Sequence, residues 1–289
     1  MLVTLKSILR LAEADNKAIG AFNVTSLEGI RAVIAAAEET GQPVILQFAN
    51  AAHSGYISLH EIGQIMMLYA DEAKVPVCVH LDHGANLEEV HEALELGFTS
   101  VMIDGSALPY EKNVALTDAT VELAQGFGAS VEAEIGSMGR EEFLSAGGSE
   151  ADLGESSYTD PDQAARFVKD TGIDALACSF GTVHGIYLKA PKLDVDRIKV
   201  IREKTGKPVV MHGGSGLSDE DFRRCIQNGV RKINFYTYAA KFAGDAVREH
   251  VSEAGDGNVY FHDVATWGME SMKKTYIHTI SVFSNLKES

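Results

Sequence analysis

Eight short runs of apolar and β-branched residues recur along the chain, and each is followed by polar residues or glycine. The runs span 18–24, 43–49, 75–83, 100–106, 130–136, 175–181, 208–214 and 232–237. Each run is too short for a typical helix, and nearly continuous apolar runs are typical of parallel strands that are buried on both faces. This repetition constrains the fold more than any other feature, because such strands need helices packed against them.

Amphipathic helical patterns fill most of the gaps between these runs. A typical one begins after the capping residue Ser26 and ends at Gly41, and three others begin after Asn86, Asp160 and Ser218. The alternation predicts an α/β fold, a single-domain (β/α)8 TIM barrel over residues 1–289, a length that suits such a barrel. A doubly wound sheet is the alternative, but it normally has fewer strands and a G-x-G-x-x-G turn that is absent here.

The composition and net charge limit the kinds of molecule that the protein is expected to bind. The net charge is −16, and no basic stripe is visible that would neutralise the phosphates of a nucleic acid. No apolar run approaches the roughly 18 residues of a membrane span, and the N-terminus lacks the features of a signal peptide. We therefore expect a cytoplasmic protein with no nucleic-acid or membrane partner. The three cysteines have no C-x-x-C spacing, which argues against a disulfide framework and a thiolate zinc site.

Polar side chains gather where the predicted strands end, which is where barrels of this kind carry their active sites. Acidic, amide and imidazole groups inside strands are costly unless they are paired, hydrogen-bonded or bound to a metal. Several strand ends agree in this respect, so we predict a functional site at this end of the barrel. The residues concerned are Asn23, Asp82, His83, Asp104, Glu132, Glu134, His184, His212 and Asn234.

The histidines indicate a metal site. His83, His184 and His212 come from three different strand ends, and three imidazoles with one open position are typical of catalytic zinc. Neutral imidazole also suits other divalent ions. Asp82 adjoins a proposed ligand and is placed to act as an acid or base. His80 is expected to be a hydrogen-bonded core residue. The remaining six are expected to be solvated or capping residues: His53, His60, His91, His250, His262 and His278.

Two further segments are predicted to contribute to the site, one as a binding site for a small anionic ligand and the other as a loop. The stretch MHGGSGLSDED at 211–221 exposes backbone N–H groups just before a helix, and the next strand adds Asn234 and Thr237, so we predict a phosphate site there. The gap between the fifth and sixth strands is too long for its single helix. Its irregular part, around 137–159, is predicted to be a mobile loop over the active site.

Taken together, the motifs HLDHG, VMIDGS, VEAEIG, GTVHGIY, PKLD, HGGSG and KIN stand in an order and at a spacing that resemble one enzyme family. These are the class II, metal-dependent ketose-bisphosphate aldolases, which include fructose- and tagatose-bisphosphate aldolases. The resemblance covers nearly the whole chain. It implies reversible cleavage of a ketose phosphate, such as fructose or tagatose 1,6-bisphosphate, into dihydroxyacetone phosphate and an aldehyde such as glyceraldehyde 3-phosphate.

The resemblance also implies residue roles. His83, His184 and His212 would hold one Zn²⁺ per subunit, Asp82 would be the proton donor, and Asp104 and Glu134 would offer a second metal location. Glu142 would move the carbon-bound proton, and a monovalent cation and a homodimer or homotetramer are further implications. The substrate-binding residues would be Asn23, Gly185, Lys189, Gly213, Gly214, Ser215, Asn234, Phe235, Tyr236 and Thr237.

Some positions depart from the family pattern. Tyr236 stands where fructose-type members tend to have Asp and tagatose-type members Ala, and Ala49 replaces a serine found in some members. The last arginine is Arg248, although the family commonly uses a C-terminal arginine for the second phosphate; Lys273 or Lys274 would have to replace it. A ketose 1-phosphate aldolase with an unphosphorylated aldehyde product is therefore an alternative.

Three other functions fit the sequence less well. A Schiff-base aldolase needs a lysine at the C-terminal end of a strand, whereas Lys232 is expected at the N-terminal end of its strand. A zinc hydrolase on this fold would normally have an H-x-H pair at the end of the first strand, where this chain has AFN. A non-catalytic sugar-phosphate-binding subunit is disfavoured by the intact set of histidines and acids.

Overall fold

The computed structural model describes residues 1–136, 139–140, 158–185 and 191–286. Its eight main strands form a closed parallel barrel, as predicted, in the order β1-β10-β9-β7-β5-β4-β3-β2. The barrel strands are β1 (Ile19–Asn23), β2 (Val44–Phe48), β3 (Val77–Gly84), β4 (Ser100–Ile103), β5 (Ser130–Ile135), β7 (Ala175–Cys178), β9 (Val209–Met211) and β10 (Val230–Phe235), while β6 (Gly139–Arg140) and β8 (Val183–His184) pair beside the barrel.

Helices surround the barrel. They are α1 (Leu5–Ala14), α2 (Leu27–Thr40), α3 (Asn50–His53), α4 (Leu59–Glu72), α5 (Leu87–Glu95), α6 (Tyr110–Phe127), α7 (Pro161–Thr171), α8 (Val195–Thr205), α9 (Asp219–Gln227), α10 (Thr237–Ala254) and α11 (Phe261–Phe283). Among the described residues, none of these helices is both long and apolar enough to cross a membrane.

The predicted caps are present. The side chains of Ser26, Asn86, Asp160 and Ser218 each accept a hydrogen bond from a backbone N–H in the first turn of the helix that follows. Such a bond satisfies a donor that has no partner within the helix, and is worth about 1 kcal/mol. Gly41 closes α2 with a left-handed backbone (φ 64°), a conformation that costs glycine little.

Helix α1 closes the end of the barrel where the strands begin. Its buried side chains Leu5, Ile8 and Leu9 pack into one cluster with residues of several strands, including Ile45 and Val210. The larger core lies between the barrel and the outer helices. With one end closed by α1, the other end of the barrel is left for a site.

One strand differs from the prediction. β10 begins at Val230, so Lys232 lies inside the strand and not at its N-terminal end. Its side chain is fully buried in the barrel, where its Nζ lies 2.9 Å from the Glu132 Oε2. The expectation was wrong because β10 extends through Val230 and Arg231, two residues before the apolar run begins. Lys232 is nevertheless held by this ion pair, away from the open end of the barrel.

Candidate active site

A cavity of about 300 Å³ opens at the C-terminal ends of the strands. Most of the predicted site residues contribute to its wall, together with Ala49 and three further residues of the segment after β2 that were not predicted to be part of the site. The lining consists of Asn23, Ala49, Ala51, Ala52, His53, Asp82, His83, His184, Gly185, Gly213, Ser215, Asn234, Phe235, Tyr236 and Thr237.

The three predicted histidine ligands converge beside this cavity. One ring nitrogen from each of His83, His184 and His212 lies within 4.8 Å of the others. The ring centroids of His83 are 5.2 Å from His184 and 4.6 Å from His212. A second group of the same compactness joins His83 to Asp104 and Glu134, the predicted second location. Both groups share His83, so the two candidate metal locations adjoin one another.

His83 has an unusual backbone. Its φ is 49°, in the left-handed region that residues other than glycine seldom adopt, and the pairing of β3 with β4 shifts register between Leu81 and Gly84. Such a conformation costs on the order of 1–3 kcal/mol and is typical of functional positions. The His83 Nδ1 bonds the Asp104 Oδ2 at 2.8 Å, which leaves the Nε2 for a ligand.

His212 is oriented by a buried ionic network. Its Nε2 lies 2.8 Å from the Glu132 Oε1, and the other oxygen of Glu132 pairs with Lys232. His80 joins this network and bonds the Ser100 Oγ at 2.8 Å, which confirms its prediction as a hydrogen-bonded core residue. Burial acts to raise the pKa of Glu132, but Lys232, His212 and His80 together outweigh it and lower that pKa to about 2. Glu132 is thus a carboxylate that accepts the Nε2 proton of His212 and directs the Nδ1 towards the other histidines.

The donor atoms fit a divalent metal. Within the described part of the chain, the His212 Nδ1 and the Glu134 Oε2 are buried without a hydrogen-bond partner, and they lie 3.5 Å apart. Buried polar atoms without a partner are rare unless an ion or water satisfies them. Imidazole nitrogens with a nearby carboxylate are ligands that zinc prefers.

Asp82 lies in a cage of amides. Its two carboxylate oxygens accept hydrogen bonds from Asn23 and Asn234 at 3.0 Å and from Gln47 at 3.3 Å. Burial acts to raise the pKa of Asp82, but His83 and the other nearby cationic groups outweigh it and hold that pKa below the usual range. The amide donors also favour the charged form. Asp82 is therefore a carboxylate that faces the cavity with its orientation fixed.

The glycine loop after β9 has little space for side chains. Gly213 has a φ of 67°, and a Cβ there would collide with the Val183 carbonyl. The Ser215 Oγ accepts a hydrogen bond from the Tyr236 N–H at 3.1 Å, which ties this loop to the start of α10. Gly213 and Ser215 line the cavity next to the N-terminus of α10, an arrangement that suits an anion. Gly214 is buried but does not line the cavity.

His53 contradicts its prediction as a solvated or capping residue. Only 7 % of its surface is exposed, and its ring lies 4.7 Å from the Tyr236 ring and 6.0 Å from that of Phe48. It lies at the end of α3, a helix of four residues that has no clear periodic signal in the sequence. The other five histidines in that group are exposed, as predicted.

Two predicted site residues fall outside the part of the chain that the structure describes, and neither lysine considered for a second phosphate lines the cavity. Glu142, Lys189 and most of the loop around 137–159 lie outside the described residues. Lys273, one of the lysines considered for a second phosphate, instead pairs with Glu39 at 2.6 Å near the C-terminus of α2, which faces the end of the barrel opposite the cavity. Lys274 is the next, exposed residue of the same helix.

A cluster of possible metal ligands, a buried carboxylate and a glycine-rich loop thus share one open end of a parallel barrel, an arrangement typical of TIM-barrel enzymes that act on small anionic substrates. Comparison with known proteins makes this class specific. The family model described as fructose-bisphosphate aldolase class-II matches residues 3–287. The chain belongs to the class II fructose-bisphosphate aldolase family and is an aldolase, a carbon–carbon lyase.

Individual relatives agree with this assignment. The 6-phospho-5-dehydro-2-deoxy-D-gluconate aldolase of Halalkalibacterium halodurans is 38% identical over 277 residues, covering 95% of this chain and 93% of that protein. The fructose-bisphosphate aldolase of Geobacillus stearothermophilus is 40% identical over 291 residues, with coverages of 98% and 97%. The crystal structure of the YdjI aldolase from Escherichia coli K12 matches with a TM-score of 0.86 at 34% identity, covering 98% of this chain and 97% of that one.

Proposed function

We propose that this aldolase cleaves the C3–C4 bond of a ketose that carries a phosphate on C1, and releases dihydroxyacetone phosphate and an aldehyde. The observation that carries the proposal is the convergence of three histidines and the caged Asp82 on a cavity that the glycine loop also lines. This arrangement suits a small molecule held at one end by its phosphate and at its reacting carbons by the metal site.

We assign His83, His184 and His212 as the ligands of one Zn²⁺ ion, with Asp104 and Glu134 as a second location. The family is generally zinc-dependent. When bound, such an ion supplies Lewis-acid polarisation of the substrate carbonyl. The fully buried pair of Glu132 and Lys232 holds His212 in the tautomer that a ligand needs.

Asp82 handles the proton on the C4 hydroxyl. His83 and the other nearby cationic groups keep its carboxylate ionised and three amide donors orient it, so in the cleavage direction it accepts the hydroxyl proton as C4 becomes the aldehyde carbon. In the reverse, condensation direction it returns that proton to the new C4 oxygen. The same amide cage holds the carboxylate oriented through both steps.

Cleavage leaves an electron pair at C3, and a proton must be added there to give dihydroxyacetone phosphate. We assign this step to Glu142 on the loop around 137–159, from the resemblance of GREE to the family loop. A loop is a suitable carrier for such a group, because it can exclude water while the carbanion-like carbon exists.

The C1 phosphate is assigned to the glycine loop and the start of α10. Gly185, Gly213 and Ser215 line the cavity on that side, and Thr237 is the first residue of α10. Backbone N–H groups and a helix N-terminus bind anions without a lysine or arginine. We add Asn23, Asn234, Phe235, Tyr236, Lys189 and Gly214 to the substrate-binding set as the family resemblance implies.

The identity of the other end of the substrate is a finer proposal. The two relatives described above are named for a bisphosphate and for a molecule with one phosphate, so the far end varies within the family. Lys273 is held by Glu39 away from the cavity. We therefore propose that fructose or tagatose 1,6-bisphosphate is cleaved with a weaker preference over the matching ketose 1-phosphate than the family usually shows.

We also predict a homodimer or homotetramer, a cytoplasmic location and a requirement for a monovalent cation.

A non-catalytic sugar-phosphate-binding subunit is the second candidate function, and the following experiment separates it from an aldolase. Zinc-loaded and chelator-treated protein are each given fructose 1-phosphate, fructose 1,6-bisphosphate and tagatose 1,6-bisphosphate, and release of dihydroxyacetone phosphate is measured. Activity that disappears on chelation and returns with Zn²⁺ supports the proposal. Tight sugar-phosphate binding without cleavage supports the alternative.

A further inference from the structure

The cavity wall divides into two sides when its residues are sorted by element. The residues after β8, β9 and β10 form the side assigned to the phosphate. Around the barrel, β10 is followed by β1, β2 and then β3, which carries Asp82 and His83. The remaining wall comes from β1, the end of β2 and α3, and consists of Asn23, Ala49, Ala51, Ala52 and His53. With its phosphate at the glycine loop and its reacting carbons at Asp82 and His83, a substrate has the wall formed by β1, β2 and α3 beside it for its remaining carbons.

His53 is the side chain on this second side best suited to recognise such a chain. The neighbouring Ala51 and Ala52 are small and exposed, whereas His53 is buried to all but 7 % of its surface. Its ring packs against that of Tyr236, which reaches across the end of β1 from β10. The pair therefore forms a fixed wall and not a mobile surface group.

The chemistry of this wall favours hydroxyl groups. An imidazole offers one nitrogen that donates and one that accepts when it is neutral, which matches an alcohol. A phosphate dianion instead requires several converging donors, such as the backbone groups of the glycine loop. The Tyr236 ring next to His53 offers an apolar face to the carbon–hydrogen side of a polyol.

We infer that His53 is the specificity-determining residue for the aldehyde half of the substrate, where it hydrogen-bonds a hydroxyl of an unphosphorylated polyhydroxy chain, with the Tyr236 ring packed beside it. The inference rests on the proposed aldolase function and extends it from the phosphate half to the aldehyde half. The roles proposed for Asp82 and the histidine cluster stay the same.

The test separates the two halves of the reaction. The zinc-loaded enzyme condenses dihydroxyacetone phosphate with D-glyceraldehyde, and exchange of the carbon-bound proton of dihydroxyacetone phosphate is followed without any aldehyde. His53→Ala is expected to raise KM for D-glyceraldehyde about tenfold, the size of one lost hydrogen bond, and to leave KM and proton exchange of dihydroxyacetone phosphate unchanged. His53→Asn, which keeps a donor and an acceptor, should recover part of this loss. His60→Ala, an exposed imidazole on α4, is the matched control and should change neither value.

Two outcomes would overturn the inference. An unchanged KM for D-glyceraldehyde in His53→Ala would show that His53 does not contact the aldehyde half. An equal loss of proton exchange and condensation would show that His53 supports the phosphate half or the fold. Failure of the aldolase proposal is distinguishable, because the unsubstituted enzyme would then carry out neither exchange nor condensation.

Discussion

Asp82 carries the most specific prediction at the scale of single residues. Asp82→Asn keeps the size of the side chain but cannot accept the C4 hydroxyl proton, so cleavage should fall by about 10²–10⁴-fold. Zinc content should be unchanged, because Asp82 is not in either candidate ligand group. The measurement is kcat for ketose phosphate cleavage beside metal analysis of the purified variant. Substantial cleavage by Asp82→Asn would assign the proton to another group.

The buried Glu132 makes a second prediction, about metal affinity. Glu132→Gln keeps the shape but removes the charge that binds Lys232 and orders His212. The loss of such an outer partner typically weakens metal binding by about 10–100-fold. Competition with a chromophoric chelator measures the Kd, and the Co²⁺ spectrum of the site reports its geometry. Glu122→Gln on the surface of α6 is the control, and an unchanged Kd in Glu132→Gln would limit the pair to a structural role.

Metal binding should release protons. Burial acts to lower the pKa of His83, but the Asp82 and Asp104 carboxylates outweigh it and raise that pKa to about 9 in the metal-free protein. Burial and Asp104 raise the pKa of Glu134 to about 8. Below these values the metal must displace protons, so affinity should rise with pH and level off above about 9. Calorimetry at pH 7.5 in buffers of different ionisation enthalpy should show release of about one proton or more, and no release would contradict these shifts.

The sequence predicted single residues well where one residue type has few roles. Three histidines at strand ends indicated their convergence, and His80 inside a strand indicated a bonded core residue. The pair of Lys232 and Glu132 was not predicted, because its partners are far apart in sequence and meet only when the barrel closes. The left-handed backbone of His83 was missed for a similar reason, since a register shift depends on the neighbouring strand.

At the scale of elements, long periodic segments were predictable and short ones were not. All eight barrel strands could be predicted from the runs of apolar residues, and the four helix caps from the residue types that precede each helical pattern. The ladder of β6 and β8 has two residues in each strand, and α3 has four, so neither carries a detectable period. The error at His53 follows from this, because α3 is what turns its side chain into the cavity.

Helix α1 supports an element-scale prediction that separates stability from activity. Ile8 is fully buried at the closed end of the barrel, far from the cavity. Ile8→Ala should lower the free energy of unfolding by about 2–5 kcal/mol through lost burial and a residual cavity, with kcat/KM unchanged below the unfolding range. Denaturant unfolding and steady-state kinetics measure the two effects. Leu11→Ala, on the exposed side of the same helix, is the control, and a matching loss of activity in Ile8→Ala would mean that α1 is coupled to the site.

At the scale of the whole molecule, the net charge repels an anionic substrate, whereas the proposed site attracts it. The chain carries a net charge of −16, yet the proposed substrate is an anion. Local backbone groups and a metal act only within the cavity, whereas the net charge acts over the distance at which substrate approaches. Approach should therefore be opposed at low ionic strength, and more strongly for a bisphosphate than for a monophosphate because the repulsion scales with substrate charge.

This opposition predicts an unusual salt response. Raising ionic strength from about 10 to about 200 mM shortens the screening length from roughly 30 Å to below 10 Å and so weakens the repulsion. We expect kcat/KM for fructose 1,6-bisphosphate to rise a few-fold over this range, and kcat/KM for fructose 1-phosphate to rise less, with kcat nearly constant for both. Steady-state kinetics in a salt that neither chelates zinc nor contains phosphate measures this. A fall in kcat/KM with salt for both substrates would show that the open end of the barrel is locally positive, so that the cavity's surroundings and not the net charge govern encounter.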